Sequence, residues 1–195
     1  MLSQVPGLVT ALVLLASVAL MAEGAGGPAA AQSGRATVID GDTLDVAGVR
    51  VRLWGIDAPE SRQTCLWAEV TYPCGQLATQ HLRALVGGQE VTCAPRTRDR
   101  YGRTVALCRV EALDLGAAMV RDGWALAFVR YAADYLGLEG EARAARRGLW
   151  QGTFVAPWEW RRMAGRDQGA AVTSHHHHVE QSAGVFDHGM FLQRR

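Results

Sequence analysis

Between Asp40 and Glu60 the chain reads D-G-D-T-L-D-V-A-G-V-R-V-R-L-W-G-I-D-A-P-E, which places five carboxylates and two arginines within twenty-one residues. Val49, Val51 and Leu53 alternate with Arg50, Arg52 and Trp54, the period of a strand with an apolar face and a basic one. Ala47-Gly48 falls between two short apolar runs and predicts a tight hairpin turn. Asp42 then stands at the entry to the first strand and Asp57 at the exit of the second. A hairpin brings both towards one rim, with Arg52 pointing near them. Clustered charge of this kind is costly to bury unless it is paired or metal-bound.

At 195 residues the chain has room for one ordinary domain with tails, and 49% apolar residues suffice for a core. The net charge of +1 excludes a protein that coats nucleic acid by bulk charge. Between Arg35 and Arg166, 18 arginines stand against 15 acidic residues, so any grip on phosphate must be local. The chain has no Lys, and its basic loop, P-R-T-R-D-R-Y-G-R, runs from Pro95 to Arg103.

Residues 1–31 are a different material. Leu8 to Ala22 is almost wholly apolar and a Gly/Ala/Pro stretch ends in Ala29-Ala30-Ala31, the pattern of a signal peptide cut before Gln32. The expectation is a secreted or periplasmic protein, with an N-terminal membrane anchor as the alternative. Cys65, Cys74, Cys93 and Cys108 fit an oxidising compartment. Four cysteines allow three pairings. We expect Cys65–Cys74, closing the loop after Glu60, and Cys93–Cys108, flanking the Asp99–Gly102 turn symmetrically as a cross-strand link requires.

The remaining elements follow from period. A strand is predicted over 36–40, and strands over 89–94 and 104–110. A helix runs from Gln76, with Leu77, His81, Leu82, Leu85 and Val86 on one face and Gly87-Gly88 as its stop. His81 inside it reads as structural. Asp114 is the predicted N-cap of a short helix ending before Gly123. Tyr135, Leu138, Ala142, Ala145 and Leu149 mark another helix, with Glu139 and Arg143 as an i,i+4 pair. Trp150, Phe154, Trp158 and Trp160 read as an arm packed on the core. Residues 163–195 read as a disordered tail, and His175 to His178 within it could bind a transition metal adventitiously.

Asp42 and Asp57 are hard oxygen ligands with no Cys or His in either block, which favours Ca²⁺ and, less well, Mg²⁺ over zinc. An EF-hand is excluded, because Asp45 stands at its glycine position and Val51 at its last carboxylate. Val38-Ile-Asp-Gly-Asp-Thr43, Arg52-Leu-Trp-Gly-Ile-Asp-Ala-Pro-Glu60 and Asp99-Arg-Tyr-Gly-Arg103 together resemble the signature blocks of the staphylococcal nuclease (thermonuclease) family. The resemblance spans about residues 36 to 162. It implies an α+β fold, a five-stranded OB-type β-barrel with about three helices, filling a domain over 32–162. It also implies a calcium-dependent phosphodiesterase acting on DNA and RNA and leaving 3′-phosphates.

On the matching positions, Asp42, Asp57 and the Ala58 backbone carbonyl would hold calcium, with Asp40 and Thr43 in support. Arg52 and Arg103 would hold the scissile phosphate and stabilise the transition state, and Glu60 would be the general base. Of two family tyrosines that contact the terminal phosphate and base, Tyr131 matches one and Val129 stands at the other; Tyr101 remains nearby. No stable protein partner is implied, and a monomer is expected. The competing function is a non-catalytic nuclease-like module that binds nucleic acid or protein.

Overall fold

A computed structural model describes residues 30–130 and 133–166. Residues 1–29 of the expected signal peptide, Tyr131 and residues 167–195, the His175–His178 run included, lie outside the described residues. In chain order the elements are β1 Gln32–Asp40, β2 Thr43–Val46, β3 Val49–Leu53, β4 Ile56–Asp57, β5 Cys65–Trp67, β6 Val70–Tyr72, α1 Cys74–Val86, β7 Glu90–Arg98, β8 Thr104–Val110, β9 Leu113–Asp114, α2 Leu115–Arg121, β10 Leu126–Ala127 and α3 Leu136–Ala144. A 3₁₀ turn, Gly148–Gln151, follows, and residues 157–166 form α4.

The β2–β3 hairpin pairs Val46 with Val49 across the two-residue turn. Ala47 (φ 50°) and Gly48 (φ 84°) are both left-handed there, as a turn matched to the strand twist requires. The Asp45 carboxylate accepts the Gly48 N–H at 2.8 Å and holds the turn shut. β1 pairs antiparallel with β2 and with β7, β7 with β8, and β8 runs parallel to β3. These five strands therefore close on themselves as an OB-type barrel, and closure removes the sheet edges. Val51 and Leu53 of β3 point into it with Leu44, Val46, Val91 and Ala106, all buried.

α1 packs on β1 through Ala78, Leu82 and Val86, and Gly87 at φ 57° ends it. Its buried face is centred closer to Ala78 and Thr79 than to Leu77, one position round from the predicted stripe. Asp114 caps α2 as expected, accepting the Ala117 N–H at 3.1 Å. His81 Nε2 lies 2.8 Å from Asp122 Oδ2, tying α1 to the end of α2.

Several elements differ from the sequence reading: β1 starts at Gln32 rather than at residue 36, and the loop expected after Glu60 carries the β5–β6 hairpin. β7 continues to Arg98, absorbing half of the basic loop through an irregularity between Pro95 and Thr97. The last predicted helix stops at Ala144, because Arg146 and Gly148 adopt left-handed φ and Leu149 reaches the core from the 3₁₀ turn. Glu139 turns inward to accept the Ala127 N–H at 2.6 Å, while Arg143 lies over the Trp150 ring. Residues 163–166, placed in the tail by composition, continue α4.

Both disulfides pair as expected, Cys65–Cys74 and Cys93–Cys108. Cys93 and Cys108 are register partners inside the barrel. Cys65 and Cys74 belong to a second apolar cluster with Leu126, Leu149, Trp150, Phe154 and Trp158. That cluster packs the C-terminal arm on the barrel, and the arm carries α4 to the site. Among the described residues no helix is long and apolar enough to cross a membrane.

Candidate active site

The hairpin sets the floor of the site. Arg52 leaves β3 on the face opposite Val51 and Leu53, and its Nη2 donates to Asp42 Oδ2 at 2.7 Å and to Asp57 Oδ1 at 2.6 Å. One guanidinium nitrogen thus bridges two carboxylates fifteen residues apart. Asp42 and Asp57 are buried, at 5% and 0% exposure. Asp42 also accepts from the Thr43 hydroxyl at 2.9 Å and weakly from the Ala58 N–H at 3.4 Å. Asp40 accepts the Asp42 N–H at 3.0 Å, so its role is to fix the turn. Burial pushes the Asp42 carboxyl up to about 6, against the pull of Arg52. Burial alone would lower the Arg52 guanidinium, but Asp42 and Asp57 outweigh it and raise it.

Glu60 stands on a braced loop. Its N–H donates to Gln63 Oε1 at 3.2 Å, its carbonyl accepts the Gln63 N–H at 2.7 Å, and Gln63 Nε2 donates to the Val155 carbonyl at 2.6 Å. Gln63 is fully buried and joins the loop to the C-terminal arm. Gly75, at the start of α1, lies so close that a Cβ there would land on the Glu60 carbonyl oxygen. From α4, Arg161 reaches across: Nη1 donates to Glu60 Oε1 at 2.6 Å and to Asp57 Oδ1 at 3.1 Å, and Nη2 to Asp57 Oδ2 at 2.7 Å.

The β7–β8 turn forms the rim. Asp99 accepts from the Tyr101 and Arg103 N–H groups, both at 2.9 Å, and from Arg103 Nε at 2.6 Å. Burial would raise the Asp99 carboxyl, but these bonds, led by the Arg103 side chain, together outweigh it and lower it. Tyr101 is 69% exposed, with the Arg100 and Arg103 guanidinium carbons 4.8 and 5.6 Å from its ring centre. Floor, loop and rim enclose an open cleft of about 1020 Å³, also lined by Ala58, Phe128, Val129, Arg130, Trp158 and Arg162. Six arginines stand on the walls of this one cleft.

The description "Staphylococcal nuclease homologue" fits a family model that matches residues 50–152. The chain belongs to the staphylococcal nuclease family. It is 41% identical over 152 residues to a protein named ParB from Escherichia coli, covering 68% of this chain and 81% of that one. It is 36% identical over 143 residues to a micrococcal nuclease of Shigella flexneri, covering 64% and 77%. An uncharacterized endonuclease of Escherichia coli O157:H7 is 37% identical over 132 residues, covering 64% and 80%.

Within this nuclease-family site the structure brings Asp40, Asp42, Thr43, Arg52, Asp57, Ala58 and Glu60 together, with Arg103 and Tyr101 on the rim. Gln63, Gly75 and Arg161 are the residues sequence reasoning missed. Arg161 lies in W-E-W-R-R, outside the matched span, and its side chain returns to the site only through the folding of the arm. A hard divalent cation fits the floor. Its donors are carboxylate oxygens, and the raised Asp42 carboxyl marks a place where one shared guanidinium does not fully compensate buried negative charge. Among the described residues no three His, Cys, Asp or Glu side chains are grouped to hold a metal unaided. A cation there would need oxygens from water and substrate to complete its shell.

Proposed function

We propose that this chain is a calcium-dependent nuclease that hydrolyses phosphodiester bonds in DNA and RNA. The observation that carries the reading is that Arg52 joins Asp42 to Asp57, and Arg161 joins Asp57 to Glu60, within one basic cleft. Asp42, Asp57 and the Ala58 carbonyl would hold calcium, whose charge would offset that of the phosphate and of the group formed on attack.

Attack by water adds negative charge at phosphorus, so donors aimed at the non-bridging oxygens dominate catalysis. Arg52 is fixed by two buried carboxylates and Arg103 by Asp99, which presents both guanidinium groups with little freedom left to lose. Glu60 takes a proton from the attacking water as its oxygen bonds to phosphorus. The bond from phosphorus to the 5′ oxygen breaks, that oxygen takes a proton from solvent, and a 3′-phosphate remains. Tyr101, exposed beside the cleft, offers a ring for a base to stack on.

Two disulfides support residence outside the cytoplasm, and β1 begins at Gln32, the residue expected to start the mature chain. The test is degradation of single-stranded DNA and of RNA with calcium and with chelator. Calcium-dependent cleavage is expected; a chain that binds the strand and never cuts it, whatever the cation, is a binding module.

A further inference from the structure

Arg161 has no part in the reaction just described, yet it occupies the groups that reaction needs. Together with Arg52 it supplies guanidinium donors to both oxygens of Asp57, and it takes one oxygen of Glu60. The Asp57 side chain is wholly buried, whereas those of Arg161 and Glu60 are 38% and 40% exposed. A divalent cation drawn to Asp57 would meet the Arg161 charge on the same oxygens, and like charges at that range repel strongly. Glu60, accepting from Arg161, has fewer lone pairs to offer a water proton. Cation binding and proton abstraction are therefore both opposed by one side chain.

The backbone that carries it is anchored. Val155 is held by Gln63, the Glu159 and Trp160 N–H groups bond to the Ala156 carbonyl, and Trp158 packs 6.0 Å from Phe128. The movable part is the Arg161 side chain itself, and it lines the same cleft as Arg52 and Arg103. A guanidinium fork matches phosphate as well as carboxylate. We propose that Arg161 is a substrate-phosphate clamp held in reserve by Asp57 and Glu60. An arriving strand draws it onto a phosphate, which releases Asp57 to the cation and Glu60 to water. Strand and cation then tighten each other's binding by the same factor. This rests on the nuclease reading above and adds a residue beyond the family's matched span.

The test measures binding, not turnover. Calcium is titrated calorimetrically into the wild-type chain and into Arg161→Gln and Arg161→Lys, with and without a short phosphorothioate single-stranded DNA. In the wild type the strand should tighten calcium binding by about 5- to 10-fold, within the usual range of coupling between sites. Arg161→Gln should bind calcium several-fold more tightly without the strand, and lose the share of the coupling beyond what phosphate oxygens on the cation supply. Arg161→Lys, which keeps the charge without the fork, should also lose most of it, and serves if the glutamine variant does not fold. Strand-free calcium binding that is unchanged or weaker in Arg161→Gln, or wild-type coupling retained in Arg161→Lys, overturns the clamp while the nuclease reading stands. A wild type that binds calcium in neither condition overturns both.

Discussion

Asp42, proposed above as a cation ligand, is buried, and burial makes its charge costly when no cation is bound. Its carboxyl is raised from 3.8 to about 6, so the folded chain holds that proton more readily than the unfolded chain. The contribution of this group to stability is complete below pH 3.8 and is lost as the pH rises through about 6. Asp42→Asn should therefore stabilise the chain in chelator at about pH 7.5 by on the order of 2 kcal/mol, an advantage that fades towards pH 4. Denaturant unfolding across that range checks it, and the same variant should need much more calcium to cut. Glu60→Gln separates binding from chemistry at the neighbouring carboxylate. It keeps the side-chain shape but is no base, so strand binding should persist while single-turnover cleavage falls by about 10²- to 10⁴-fold. Arg103→Ala should lower turnover by roughly 10²- to 10³-fold if its guanidinium is one transition-state donor. Wild-type cleavage by either variant would remove that residue from the mechanism.

The loop from Glu60 to Cys74, whose regular structure is only the short β5–β6 hairpin, holds the proposed base in place by cross-links. It is closed by the Cys65–Cys74 disulfide, cross-braced by Gln63 and seated against Gly75 with no room for a methyl group. Gly75→Ala must push the Glu60 carbonyl away, and overpacking of this kind costs about 1–3 kcal/mol. Single-turnover cleavage should fall far more than strand affinity, because the proposed base moves while the arginines stay. Equal losses in both would mean that the loop serves the cleft as a whole. The β2–β3 hairpin was legible because its turn residues and alternation agree locally. The loop was not, since a buried glutamine and a contact-limited glycine leave no periodic trace. Arg161 was hidden for another reason: its partners lie 101 and 104 residues away in sequence. The overlong third helix was a matter of pattern, since Leu149 keeps the helical period but arrives by a left-handed turn at Arg146 and Gly148.

The whole molecule is nearly neutral, and its binding should carry the signature of one cleft. Net charge is +1, so long-range attraction to a polyanion is weak and affinity must come from arginines that meet phosphate directly. Several of the six on the cleft walls are committed elsewhere: Arg52 bridges Asp42 and Asp57, Arg103 holds Asp99 and Arg162 pairs with Glu159 at 3.3 Å. A strand that displaces part of these contacts neutralises about three to five phosphates, each contributing about −0.7 to the slope of log affinity against log salt. The expected slope for a short single-stranded DNA is about −2 to −4. Fluorescence anisotropy across a salt series, with Glu60→Gln to prevent cutting, measures it. A slope near −10 would mean that basic residues well outside the cleft hold the strand. A slope near zero would mean that base stacking on Tyr101 and its neighbours dominates, and Tyr101→Ala would then cost more affinity than loss of any one arginine.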